Sequence, residues 1–148
     1  MRPPYLTEGD RNVRHAQVMT HHASGTFDIT GWDEVASDEK PGATVARVRI
    51  SKAFTGDLNG TSATEILTVT TSAGPAAYVG IEHVEGTLGG RTGTFVLQHS
   101  AGGDDGKPWM RWEIVATSGT GELAGLRGEG QITITDDGHH YTLDYDLS

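Results

Sequence analysis

Cysteine is absent from the 148 residues, which excludes disulfides, Cys-based zinc sites, Fe–S clusters and thiol catalysis together. Long apolar runs are missing too. Hydrophobic residues make up 35% of the chain, and no stretch approaches the roughly 18 that a spanning helix needs, so no membrane is expected as a partner. Positive charge is scarce: 11 Lys+Arg stand against 20 Asp+Glu, and the resulting −9 repels polyphosphate, which argues against nucleic acid. The first 20 residues lack the apolar core of roughly 7–15 residues that a secretion signal requires, so a cytoplasmic location is the expectation. A length of 148 residues suits one domain with its own core. Residues 1–19 show none of the patterning that follows, and they read as an extension, disordered or draped as a lid over a domain at 20–148.

What is present is alternation. From about residue 24 to 147, β-branched and aromatic residues alternate with polar ones between Gly-rich breaks, which places strands near 25–32, 44–55, 61–72, 76–85, 93–100, 108–117, 130–135 and 140–147. Asn59-Gly60 and Asp137-Gly138 carry the strongest two-residue hairpin signals, and Ser72-Ala73-Gly74-Pro75 and Gly102-Gly103-Asp104-Asp105-Gly106 mark further breaks. No segment supplies a crossover helix, so the fold class is all-β. Eight short-linked strands predict an antiparallel meander closed into a barrel, whose interior holds side chains or one small ligand.

Period-2 counting assigns faces, and it sets charges among apolar residues. Lys52 shares a face with Val48, Ile50 and Phe54, Glu65 with Leu67 and Val69, and Glu82 with Tyr78, Gly80 and Val84. Inward-facing charges are costly unless they pair, so Lys52, Glu65 and Glu82 are the candidate catalytic cluster. Trp112 falls with Met110 and Ile114, Tyr145 with Tyr141 and Leu143, and His99 with Phe95 and Leu97. Phe54, Tyr78, His99, Met110, Trp112 and Tyr145 are therefore the candidate ligand-binding residues, an apolar wall with sparse polar groups.

Other signals lack their context. Gly119-Thr120-Gly121-Glu122-Leu123-Ala124 fits a dinucleotide fingerprint, but glycines interrupt the helix it must open, and a tight connection with one helical turn is expected instead. The pairs His21-His22 and His139-His140 point to opposite faces and form no chelate, although His83 or His99 beside Glu82 leaves an assembled site open. No metal or other cofactor is expected. A G-x-S-x-G nucleophile elbow is absent.

Several stretches form a further pattern: Gly25-Thr26-Phe27 with Trp32-Asp33-Glu34, the run from Lys52 to Asp57, Val84-Glu85-Gly86-Thr87-Leu88 with Gly90-Arg91, and Gly93 through Ser100. With Gly119 through Gly130 and Tyr141 through Asp146, they resemble, over about 20–147, the bacterial family known as domain of unknown function 3224. The resemblance implies an eight-stranded antiparallel barrel like that of plant allene oxide cyclase and the dirigent proteins, with homo-oligomers, dimers or trimers, in related folds. By that analogy the expected function is cofactor-free isomerisation or cyclisation of a largely apolar, unsaturated substrate. The alternative is a non-catalytic carrier that sequesters a small apolar ligand.

Overall fold

The computed structural model describes residues 19–148 apart from Pro75 and Asp105. The extension expected at 1–19 thus falls, for residues 1–18, outside the described residues. The rest is the expected barrel. Its strands are β1 (His21–Lys40), β2 (Ala43–Gly56), β3 (Leu58–Thr71), β4 (Ala76–Leu88), β5 (Arg91–Asp104), β6 (Lys107–Ile114), β7 (Leu126–Thr135) and β8 (Gly138–Leu147), with one 3-10 turn at Gly121–Leu123. They pair antiparallel in chain order, and β8 closes onto β1. Among the described residues no helix is long and apolar enough to cross a membrane.

Closure differs between the two ends. β1 pairs with β8 from His21 to Phe27, and beyond Phe27 it pairs with β2 alone. β6 and β7 share two residue pairs, Trp112↔Gly130 and Glu113↔Glu129. Above those pairs the two strands are not paired with each other. A bulge between Ile29 and Gly31 resets the β1–β2 register so that Trp32 lies across from inward-facing Ile50. Without that extra residue Trp32 would turn to the outer face.

The closed end is packed with Leu58, Leu88, Phe95, Leu97, Leu126, Tyr141 and Leu143, all essentially inaccessible. Residues 115–124 run beside β5, held by Val115 N–H to Val96 O, Ser118 Oγ to Val96 and Thr120 to Thr94, and they insert Leu123 as a plug. The dinucleotide-like run is thus the expected tight connection.

One turn differs from expectation. The β2–β3 reversal falls at Gly56-Asp57, where Gly56 has φ 107° and the Tyr141 hydroxyl accepts from Leu58 N–H at 2.9 Å. Asn59-Gly60 lies inside β3. Gly60 is needed there because a Cβ would stand 2.1 Å from Glu85 O, so this glycine serves close strand approach and not a turn. The Asp137-Gly138 signal does mark a hairpin, with Asp136 and Asp137 as the two loop residues between Thr135 and Gly138.

Candidate functional site

Above the packed end the barrel holds a cavity of about 600 Å³, lined in part by β6 and β7 where the two strands no longer pair. Phe27, Ile50, Ile66, Met110 and Ile132 line its walls, and Ile29, Trp32, Trp109 and Ile134 stand exposed around its mouth. Large exposed apolar side chains gathered at one opening are uncommon on a protein surface.

Charge sits between this cavity and the core below. Glu82, 0% exposed, accepts from Lys52 Nζ at 3.3 Å, Ser62 Oγ at 2.6 Å and Trp112 Nε1 at 3.1 Å. Isolated, such a carboxylate costs several kcal/mol to bury, and three donors supply the compensation. Trp112 fits below because β7 carries Gly130 across from it, where a Cβ would stand 2.6 Å from the indole. Lys52, 5% exposed, lines the cavity with its ammonium 4.7 Å from the Phe27 ring centre and 5.9 Å from that of Trp112.

A second polar pair stands on the wall. The Tyr78 hydroxyl and His99 Nε2 share a 2.8 Å hydrogen bond, and both residues line the cavity. Burial, and then the Lys52 ammonium, push His99 down to about 4 against the opposing pull of Glu82. Burial and the Glu82 charge push Tyr78 up to about 12. At neutral pH the pair is therefore an uncharged imidazole and a protonated phenol.

The structure brings together Lys52, Glu82, Tyr78, His99 and Met110 as the face counting expects. It moves four other candidates. Glu65 is on the outer surface, 48% exposed, bound to Arg47 Nε at 2.6 Å. On β3 the inward set is Leu58, Ser62, Thr64 and Ile66, and Leu67 points outward, so the apolar Leu67 and Val69 indicate the wrong face. Leu67, Val79 and Ile81 instead cover an outer-wall depression of about 660 Å³. Tyr145 belongs to the packed end, stacked on His21 at 5.1 Å, away from the cavity. Phe54 is buried between Phe27, Trp112 and Tyr141, beneath the cavity. Trp112 likewise lies below, reaching the site through its hydrogen bond to Glu82. His83 is exposed on the face opposite Glu82, so these two do not converge on a metal.

Thr64 and Trp109 were not among the candidates, yet both line the cavity. A threonine alternating on β3 is legible as inward only once the face is known, and Trp109 follows Pro108 at a strand start where alternation gives no face.

The sequence of residues 23–145 matches the family described as protein of unknown function DUF3224. Among curated proteins none matches the chain. A crystal structure of a protein with unknown function from the DUF3224 family of Shewanella oneidensis MR-1 is 36% identical, and the match covers 88% of this chain and 98% of that one at a TM-score of 0.79. With the match spanning nearly the whole barrel, from Ala23 to Tyr145, this chain belongs to the DUF3224 family.

Proposed function

We propose that the barrel binds a small, largely apolar, unsaturated molecule and isomerises or cyclises it without a cofactor. The observation that carries this reading is an apolar chamber of about 600 Å³ with the hydrogen-bonded Tyr78–His99 pair and the Lys52 ammonium on its walls. Holding a flexible substrate in a reactive conformation supplies several kcal/mol of barrier reduction by itself. In the tautomer whose Nε2–H donates to the Tyr78 hydroxyl, neutral His99 takes a proton from one carbon at Nδ1, Lys52 holds the electron-rich oxygen that develops, and the His99 imidazolium returns that proton to another carbon, so composition does not change. A base as weak as His99 serves when the developing oxyanion is strongly held. Glu82 is fully engaged by three donors and acts as the counter-charge of Lys52. That engagement also favours the second reading, a carrier in which the ion pair is structural.

The test uses two probes. N-phenyl-1-naphthylamine, neutral and fluorescent in apolar surroundings, should saturate at one molecule per chain, and Ile66→Trp, which fills the chamber, should abolish the signal. 3-Cyclohexen-1-one should convert to its conjugated isomer faster than without protein, followed by ultraviolet absorbance. His99→Phe should remove that conversion and spare dye binding. Lys52→Met with Glu82→Gln, which leaves no lone buried charge, should slow conversion about 100-fold or more. Dye binding without conversion supports the carrier reading; absence of dye binding overturns both.

A further inference from the structure

Thr64 is a buried polar group that neither the fold nor the proposed chemistry uses. It is 4% exposed, it lines the cavity, and its hydroxyl has no hydrogen-bond partner among the described residues. Buried hydroxyls are paired as a rule, because leaving one unpaired forfeits its hydration without return. On the inner face Thr64 lies across from Ile50 and Glu82, while Lys52 lies across from Ser62, which makes Thr64 and Lys52 diagonal neighbours.

Both residues line the cavity, and both carry hydrogen-bond donors. An ammonium carries three N–H donors, and among the described residues the side-chain acceptor of Lys52 is Glu82, at 3.3 Å. The Phe27 face attracts the charge without accepting a conventional hydrogen bond. What the pair lacks is an acceptor oxygen. The charge balance then says which kind. Glu82 offsets Lys52, His99 is uncharged at neutral pH, and apart from histidines Lys52 is the charged residue of the lining. A carboxylate would bring an uncompensated negative charge into a low-dielectric chamber of a chain already at −9. A carbonyl oxygen accepts the same hydrogen bonds and adds no charge.

We propose that Thr64 and Lys52 form a hydrogen-bond-donor subsite that selects a neutral carbonyl compound, a ketone or enone, over a carboxylate or a hydrocarbon of the same shape. This rests on the reading of the chamber as a small-molecule site and names the polar end of what it takes.

Three probes of nearly equal size separate the two ideas: 2-acetylnaphthalene, 2-ethylnaphthalene and 2-naphthoate, titrated by displacement of N-phenyl-1-naphthylamine. The ketone should bind about tenfold tighter than the ethyl compound, and the naphthoate should be the weakest. Thr64→Val keeps the shape, should melt no lower than the wild type, and should cut the ketone's advantage about threefold or more. Lys52→Met with Glu82→Gln should remove most of what remains. Equal binding of ketone and ethyl compound, or tightest binding of naphthoate, overturns the subsite and leaves the chamber standing as a binding site. Failure of all three to displace the dye overturns the subsite, and failure of the dye itself to bind is what overturns the chamber reading. A Thr64→Val variant that melts lower while keeping the full ketone preference shows a structural partner for the hydroxyl and also overturns it.

Discussion

The two ends of this barrel are built from the same strands with the same alternation, yet one is solid and the other hollow. At the closed end β8 pairs with both β1 and β7, and the 115–124 segment covers β5 where β6 has ended and adds Leu123 from outside the sheet. At the open end, β1 above Phe27 has one neighbour, and β6 and β7 above Trp112 and Gly130 are not paired with each other. Eight strands enclose space that side chains just fill when closure is complete. Incomplete closure, with Ala101 and Gly102 among the lining residues, leaves the chamber. Hollowness here is a property of strand pairing as much as of side-chain size. The polar layer of Lys52, Glu82 and Ser62 marks the level where the two regimes meet.

If the division is real, stability and binding should separate along it. Leu143→Ala removes a fully buried side chain at the packed end and should cost about 2–5 kcal/mol in chemical denaturation, with the intact fraction still binding apolar dye. Trp32→Ala removes a residue 62% exposed at the mouth and should change stability by no more than about 0.5 kcal/mol. It should weaken dye binding about tenfold, since an indole face is lost from the wall. Equal stability losses for the two variants would erase the distinction between the ends.

A smaller effect tests the electrostatics of the cavity wall. An unfolded histidine holds a proton below about pH 6.5, whereas buried His99 holds one only below about 4. Between those values the unfolded chain binds more protons, so His99 lowers stability as pH falls through about 6.5 to 4 and adds nothing further below. The melting temperature of His99→Phe should therefore fall less steeply than that of the wild type across this window. Superimposable profiles would mean that His99 is free to charge in the folded state, which removes the neutral base from the proposed chemistry.

The sequence made the barrel legible because eight alternating runs and their breaks are local signals, and most of the strands fall where alternation sets them. It made part of the site legible for the same reason: Lys52 and Glu82 interrupt apolar faces, and a charge there must pair. What alternation does not carry is closure. Nothing local in β6 or β7 says that they part above Gly130, so the height of the cavity was hidden, and with it the fact that Tyr145, Phe54 and Trp112 lie below and Trp109 and Thr64 beside it. Threonine is the other source of error. Ser62 and Thr64 face inward on β3 while Leu67 faces out, and a strand with polar residues inside and leucine outside inverts the usual rule. The inversion has a reason on each face. Ser62 supplies a hydrogen bond to the buried Glu82, and Leu67 joins Val79 and Ile81 in an apolar outer wall.

That inversion yields the smallest and most selective expectation. Face counting groups Glu65 with Lys52 and Glu82 as a candidate catalytic carboxylate, and its position on the outer face, across β3 from the cavity, separates it from both. Its partners are Arg47 Nε at 2.6 Å and Arg49 Nε at 3.8 Å, and all three side chains are about half exposed. Exposed ion pairs of this kind contribute about 0–1 kcal/mol, because water already solvates both charges and salt screens them. Glu65→Gln should therefore shift the denaturation midpoint little, less still in high salt, and leave dye binding and any turnover unchanged. Glu82→Gln is the paired control. It strips the counter-charge from buried Lys52 and should lower both stability and turnover, since an uncompensated ammonium at that depth is far costlier than a lost surface pair. Comparable losses of turnover from the two single variants would put Glu65 in communication with the chamber and break the assignment of β3's faces, because a side chain on the outer wall reaches the cavity only through a register different from Glu65↔Ile81.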